Sequence, residues 1–272
     1  MRTQTLVGIN KQFNGKMSHK VNRATMSKIS LIIDTGNTFH KIAVIKERTI
    51  LEERVVPTLS EGIIDELCDS FAPARAIVSS TRSDAAKSVK LLKDRVEEVI
   101  CLDSKTPLPI EVEYDRERLG TDRIAAAVGA VAKYGTEQSM LIIDAGTAIT
   151  FDFVECGVFK GGNISPGVDM RLEALAEKTA TLPLCEPMVL EGEGLQIGHT
   201  TEEAVKNGVM EGVFYEVKGY IDSFCEKNEN ILIIFIGGDA EYFVNRIKNA
   251  IFAGRNIMYD GLNRILEYNA EV

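Results

Sequence analysis

Apolar and polar positions along this chain fall into short runs, and the runs recur. From residue 29, three strand-length stretches rich in Ile and Val (29–34, 39–46 and 49–56) are separated by short polar turns. Helical spacing follows over 60–70, then the strand "RAIVSS" (75–80), a helix near 83–94 and a strand near 96–102. The segment 103–119 is polar and carries Pro107 and Pro109, so it reads as a long loop. It runs into "LGTDRIAAAVGAVAKYG" (119–135), whose Ala-rich centre predicts a helix that Thr121 and Asp122 are placed to cap or begin.

The order then restarts. Strands are predicted at 140–144, 147–154 and 157–163, with helices at about 167–178 and 200–226. The buried-looking strand "ILIIFIGG" (231–238) and helices over 240–250 and 258–268 complete the chain. The restart is also literal: "LIIDTGNT" (31–38) returns as "LIIDAGTA" (141–148), and each copy enters a second apolar run, "FHKIAVI" (39–45) and "ITFDFV" (149–154). Two copies with matching flanks indicate an internal duplication. Three strands followed by alternating helix and strand in each half give an α/β class. Two similar domains are expected, 26–135 and 136–272, with a ligand cleft between them.

Composition excludes some partners. A hydrophobic content of 45% with 26% charged residues is enough to fill a core. The net charge of −9 is uneven, because residues 1–25 hold Arg2, Lys11, Lys16, Lys20 and Arg23 and no acid. The remaining chain carries 26 basic against 40 acidic residues, a poor surface for nucleic acid, which needs a basic face. Residues 1–25 lack the apolar core of a secretory signal and read as a disordered extension or an over-long start. No apolar stretch approaches the length that spans a bilayer. The cysteines (68, 101, 156, 185, 225) and histidines (19, 40, 199) are scattered, so neither a zinc site nor a disulfide framework is supported.

Candidate chemistry gathers at the glycine turns. In "DTGNT" (34–38) the glycine allows close approach of an anion to backbone N–H groups, and Asn37 and Thr38 can donate to phosphate oxygens. Asp34 at a strand end can hold Mg²⁺ through water, and Lys41 can add positive charge near a terminal phosphate. One such copy alone reads more readily as a β-hairpin turn. The second, "DAGTAITFD" (144–152), repeats the chemistry in Gly146 and Thr147 and adds Asp144 and Asp152, so that two facing hairpins could grip a polyphosphate. "IGGDA" (236–240) is a third glycine turn, suited to a flat ligand or to an ordinary strand-to-helix turn. In "GTDR" (120–123) an Asp that could accept a hydroxyl proton adjoins an Arg that could grip a carboxylate, or the Asp simply caps the helix.

Taken in order, "DTGNT" with Lys41, Tyr114 with "LGTDR", "DAGTAITFD", "GGNISPG" (161–167), "KTATLP" (178–183), "IGHTTEEAVKNG" (197–208) and "IGGDA" resemble the type III pantothenate kinases. These belong to the acetate-kinase, sugar-kinase, Hsp70 and actin superfamily. The resemblance runs from about residue 29 to the end and implies two duplicated ribonuclease H-like (actin-like ATPase) domains with an interdomain nucleotide cleft. It implies that Asp34, Thr35, Gly36, Asn37, Thr38, Phe39, His40 and Lys41 form the first ATP loop, with Asp34 near Mg²⁺. Thr147 would contact ATP, and Asp144 matches the family's aspartate for a monovalent cation, K⁺ or NH₄⁺. Tyr114, Gly120, Thr121, Asp122, Arg123 and Thr201 fall on pantothenate-binding positions, with Asp122 as proton acceptor. The implied protein is a cytoplasmic homodimer whose substrate site is completed across the interface, Thr201 serving the neighbouring subunit. The chain departs from the pattern at Ala126, where Asn is common, at "YDRERLG", which lacks a proline, and at Ile236, where Thr is frequent.

Other readings stay open on the residues alone. One is a kinase of the same superfamily for another small hydroxy acid or sugar, which the phosphate loops do not exclude. Another is a non-catalytic transcriptional accessory factor on this scaffold, against which the acidic body and Asp122 both argue. For an actin- or Hsp70-like ATPase the chain is too short to carry the extra subdomains.

Overall fold

The computed structural model describes residues 29–36, 39–81, 85–189, 194–228, 231–244, 246–247, 250–252, 254 and 256–271. The stretch 1–25 and the loop residues Asn37 and Thr38 lie outside the described residues.

The first half runs β1 (Ile29–Thr35), β2 (His40–Lys46), β3 (Thr49–Val56), α1 (Glu61–Phe71), β4 (Arg75–Ser80), α2 (Ala85–Leu92) and β5 (Glu98–Cys101). The short β6 (Glu111–Val112) and α3 (Thr121–Tyr134) follow. The second half runs β7 (Ser139–Ala145), β8 (Ala148–Glu155), β9 (Val158–Pro166), α4 (Val168–Lys178) and α5 (Thr201–Cys225). It ends with β10 (Ile231–Ile236), α6 (Glu241–Val244), β11 (Ala250–Phe252) and α7 (Asn256–Glu271).

The duplication seen in the sequence is a duplication of topology. One sheet has the order β3-β2-β1-β4-β5, and the other has β11-β10-β7-β8-β9-β6. Without β6, the second order is the first one repeated. In both, the opening three strands form antiparallel pairs and the next two add in parallel.

Strand parity explains why these runs are continuously apolar. Along β1, Leu31 and Ile33 point to one face of the first sheet and Ile32 to the other. Along β7, Leu141 and Ile143 face one side of the second sheet while Met140 and Ile142 face the other. Both faces of each sheet are therefore covered, as the parallel strands require. The helices α1 and α2 cover the outer face of the first sheet, and α4 and α5 cover the outer face of the second. Between the sheets lie α3 and α7, packed with Ile32, Ile77, Ile142 and Ile234 into one shared core.

The crossing of α3 and α7 is a backbone contact. A Cβ on Gly129 would stand 1.8 Å from the carbonyl oxygen of Ile257, and one on Gly261 would stand 1.9 Å from that of Ala125. Although α7 comes from the end of the chain, it also binds the first sheet. The Tyr259 hydroxyl donates to Glu53 at 3.1 Å, and the Asn263 amide donates to the Glu47 carbonyl at 3.0 Å.

Two expectations change. The segment 103–119 is not loop throughout, because Glu111 and Val112 pair in parallel with Val158 and Phe159 as an edge of the second sheet. The expected helix over 240–250 is only the four-residue α6, followed by β11 alongside β10. Both strands are two or three residues long, too short for any periodicity to register. Among the described residues, no helix is long and apolar enough to cross a membrane.

The α3–α7 crossing generates a stability prediction. Alanine favours a helix over glycine by about 1 kcal/mol, but steric overlap at this contact reverses the sign. Gly129→Ala and Gly261→Ala each lower unfolding stability by about 3 kcal/mol in urea titrations. Gly62→Ala in the first turn of α1, where nothing lies within 4 Å, leaves stability unchanged or raises it by about 0.5 kcal/mol.

Candidate active site

Each duplicated hairpin carries an aspartate at the end of its first strand, and the strand register decides what stands beside it. Asp34 on β1 is opposite Lys41 on β2 and beside Ser79 on the parallel β4. The Lys41 ammonium lies 4.0 Å from Asp34 Oδ2, and the Ser79 hydroxyl donates to Oδ1 at 3.0 Å. Burial pushes the Asp34 carboxyl above its ordinary range; Lys41 and Ser79 oppose that and Asp122 reinforces it.

The second copy keeps the aspartate and loses both partners. Asp144 on β7 is opposite Thr150 on β8 and beside Ile236 on β10. Its carboxyl is pushed up to about 7, first by burial and next by the charge of Asp122. Asp152 and Asp34 add to the rise, and Lys41 opposes it. The third glycine turn closes over this aspartate. Gly237 has φ +93°, and a Cβ there would stand 2.1 Å from the Ala145 carbonyl oxygen and 2.6 Å from Asp144 Oδ1. The turn is tied down by Asp239 N–H donating to the same carbonyl at 3.0 Å.

The start of α3 brings the third group. Gly120 is the N-cap and makes no side-chain cap, so Thr121 and Asp122 begin the helix rather than cap it. The Thr121 hydroxyl lies 3.0 Å from that of Ser79, which links α3 to Asp34 through β4. Asp122 Oδ1 accepts from the N–H of Arg123 at 2.8 Å, and the helix N-terminus favours its negative charge. The charge of the Asp122 carboxylate adds to the rise in proton affinity of Asp34, Asp144 and Asp152 alike.

Arg123 is buried with Asp152. Its Nε donates to Asp152 Oδ1 at 2.9 Å, and the two side chains are only 7% and 2% exposed. The guanidinium lies 5.3 Å from the Tyr114 ring centroid and 5.6 Å from that of Phe159. Burial raises the Asp152 carboxyl, and the bonds to Arg123 counter it.

The other expected residues divide. Thr35 is fully buried, and its hydroxyl lies 3.0 Å from Nδ1 of the buried His40, so this pair builds the loop from behind. Gly36 N–H donates to the Phe39 carbonyl at 3.1 Å, and the Phe39 ring is exposed. Thr147 is exposed at the tip of the second hairpin, and its carbonyl accepts from Gly167 N–H at 3.1 Å. Thr201, the first residue of α5, is exposed. Among the described residues, no hydrogen bond or ion pair joins it to the Asp122 group. Ser79 and Phe159 went unnoticed in the sequence, where both read only as strand positions.

The elevated Asp144 carboxyl makes a pH prediction. The unfolded chain releases this proton near 3.8 and the folded chain holds it to about 7, so folding takes up a proton between those values. Stability of the ligand-free protein through this group therefore falls as pH rises across that window. Urea unfolding of wild type and Asp144→Asn checks it. The variant's advantage grows from about pH 4 to about pH 7 and is constant above, and a pH-independent difference would contradict it.

Comparison with known proteins agrees with this architecture. The sequence model described as type III pantothenate kinase matches residues 30–223. A type III pantothenate kinase of Porphyromonas gingivalis is 36% identical over 241 residues, covering 88% of this chain and 98% of the relative. One of Bacteroides fragilis is 39% identical over 243 residues, covering 89% and 98%. Among solved structures, a Sinorhizobium meliloti protein described as a 2-dehydro-3-deoxygalactonokinase superposes with a TM-score of 0.55 at 14% identity, covering 88% of this chain and 98% of that one. That likeness bears on the fold alone, the doubled ribonuclease H-like sheet of the actin-like ATPases. With family match, relatives and topology in agreement, this chain belongs to the type III pantothenate kinase family.

Proposed function

We propose that the chain transfers the γ-phosphoryl group of ATP to the primary hydroxyl of pantothenate, giving 4'-phosphopantothenate, the first step of coenzyme A biosynthesis. The observation that carries this reading is the link from the start of α3 to the first hairpin, where the Ser79 hydroxyl donates to Asp34 and lies 3.0 Å from that of Thr121, beside Asp122, whose charge acts on Asp34 and Asp144. In this reading Asp122 is the hydroxyl-activating carboxylate and the two hairpins are the phosphate loops. The family relatives support pantothenate as the acceptor.

In this reading Asp34, Thr35, Gly36, Asn37, Thr38, Phe39, His40 and Lys41 hold the ATP phosphates from one side, and Thr147 does so from the other. Lys41 is the cation in the first loop. Asp122 accepts the hydroxyl proton as the attacking oxygen approaches phosphorus, and Arg123, Tyr114, Gly120 and Thr121 hold the acceptor. The reaction proceeds by positioning and electrostatics without a covalent enzyme intermediate.

The donor set suits the ions such a reaction needs. Among the described residues, no group of three or more His, Cys, Asp or Glu side chains is placed to hold a metal. Mg²⁺ keeps its waters and is bound through one or two carboxylates plus substrate phosphates, and in this reading Asp34 is its protein ligand. When bound, Mg²⁺ would supply charge neutralisation at the phosphates. Asp144, with Thr150 and Ile236 in place of a lysine and a serine, is suited to a monovalent cation, K⁺ or NH₄⁺.

The same reading extends to assembly. Ile164, Leu184, Leu195, Ile197 and Tyr215 are large and exposed in the second half, and Leu195 and Ile197 closely precede Thr201. A second copy covering them would make the homodimer in which Thr201 completes the partner's acceptor site. The enzyme would act in the cytoplasm, on small molecules rather than nucleic acid.

Purified protein with ATP, Mg²⁺, K⁺ and pantothenate tests the reading. Wild type forms phosphopantothenate, and Asp122→Asn lowers kcat by about 1,000-fold with the KM for ATP nearly unchanged. Wild-type turnover no higher than that of the Asn variant would end the proposal. Replacing K⁺ by Li⁺ lowers the wild-type rate, whereas Asp144→Asn is slow in both salts. An Asp144→Asn enzyme that keeps the K⁺ response would remove the cation assignment.

A further inference from the structure

Asp152 closes the second motif, "DAGTAITFD", but stands within β8, away from its glycine turn and outside "GTDR", and the arrangement of Arg123 depends on it. Its carboxylate meets Arg123 Nε at 2.9 and 3.2 Å and Nη2 at 2.5 Å. This is the side edge of the guanidinium. One Nη1 hydrogen and the second Nη2 hydrogen form the end-on edge, the geometry to which a second carboxylate bonds bidentately, and the Tyr114 side chain is a further hydrogen-bond partner of the guanidinium.

The surroundings fix this geometry. Thr150 Oγ1 donates to Asp152 Oδ2 at 3.2 Å. The rings of Tyr114 and Phe159, T-shaped with centroids 6.2 Å apart, confine the guanidinium. Opposite Asp152 on β9 stands Gly162, in the "GGN" run that the phosphate loops do not use. A Cβ there would stand 2.2 Å from the Phe151 carbonyl oxygen, 2.4 Å from Asp152 Oδ1 and 2.9 Å from Arg123 Nη2.

We infer that Asp152 is a positioning residue for acceptor specificity, holding Arg123 by its side edge so that the end-on edge receives the acceptor's carboxylate, with Gly162 leaving the room that the Asp152–Arg123 pair itself occupies. The inference rests on the pantothenate reading above. Two effects oppose each other in it. An anion beside Arg123 weakens its pull on a second anion, so charge alone predicts tighter acceptor binding once Asp152 is neutralised. Orientation predicts the reverse, since a misplacement of about 1 Å can cost about 100-fold. Orientation wins here because the arginine is walled by two rings and 93% covered, and a guanidinium turned within that space presents the wrong edge.

Asp152→Asn therefore raises the KM for pantothenate by about 30-fold, while kcat and the KM for ATP stay within about threefold. Asp152→Glu, which restores the charge at a shifted position, gives an intermediate rise. A pantothenate KM that is unchanged or lower overturns the inference. So does a parallel loss in all three constants, which a merely structural role would produce. If Asp152→Asn does not fold, Thr150→Val removes only the outer hydrogen bond and raises the pantothenate KM about threefold, and no change there overturns the inference. Wild type without pantothenate turnover would remove the functional reading and this inference with it. An active wild type beside a variant of unchanged KM removes the positioning role alone.

Discussion

The charges of four carboxylates interact across the two sheets, Asp34 and Asp144 at strand ends, Asp152 within β8 and Asp122 at the start of α3, and among the described residues Lys41 and Arg123 are the cations paired with them. Burial and the charge of Asp122 both raise the proton affinity of the other three, and a compact domain tolerates that only where the backbone leaves no alternative. Here the backbone leaves none. Asp34 and Asp144 sit at fixed register positions of a duplicated hairpin, Asp152 on the strand next to Asp144, and Asp122 in the first turn of a helix in the shared core. The result is a concentrated negative field that bound cations relieve, and cations accompany a polyphosphate. The strain in the ligand-free protein and its fitness for the nucleotide have the same origin.

The duplication shows how two copies of one motif come to do different work. At matching register positions the first copy has Lys41 and Ser79 and the second has Thr150 and Ile236. The first aspartate is thus balanced internally by an ammonium and a hydroxyl. The second faces a neutral hydroxyl and a hydrocarbon, and it holds its proton to about 7 unless a cation arrives. The hairpin that carries its own positive charge is suited to meet phosphate directly, while the other is suited to recruit an ion. The departure at Ile236 belongs to this asymmetry, since it withholds from Asp144 the hydroxyl that Ser79 gives Asp34.

What keeps the halves in register is the helix pair between them. The crossing of α3 and α7 at Gly129 and Gly261 brings two backbones into contact, so the layer between the sheets is thin. Each sheet packs one face on that layer, and the helix whose first turn carries Asp122 and Arg123 belongs to it. A change of an ångström at the crossing would therefore be transmitted to the start of α3, because close-packed interiors pass on displacement rather than absorb it.

Much of this was legible in the chain itself. The repeat "LIID.G" determined the doubled sheet, because a continuous apolar strand ended by Asp and Gly has few other uses when it occurs twice with matching flanks. Long elements such as β1, β7 and α5 were readable, since each spans enough residues for its apolar pattern to show. Strands β6 and β11 were not, being stabilised by neighbours that a local window does not contain. The same distinction holds at the site. Sequence could name Asp34, Asp144 and Asp122, since each lies in a motif whose spacing has a chemical meaning. Only the tertiary structure could show that Ser79 bridges Asp34 to Thr121, that Thr150 stands where Lys41 does in the other copy, and that Arg123 is held by Asp152 from 29 residues away. Hydrogen bonds and charge act over a few ångströms of space, and distance along the chain carries no record of them.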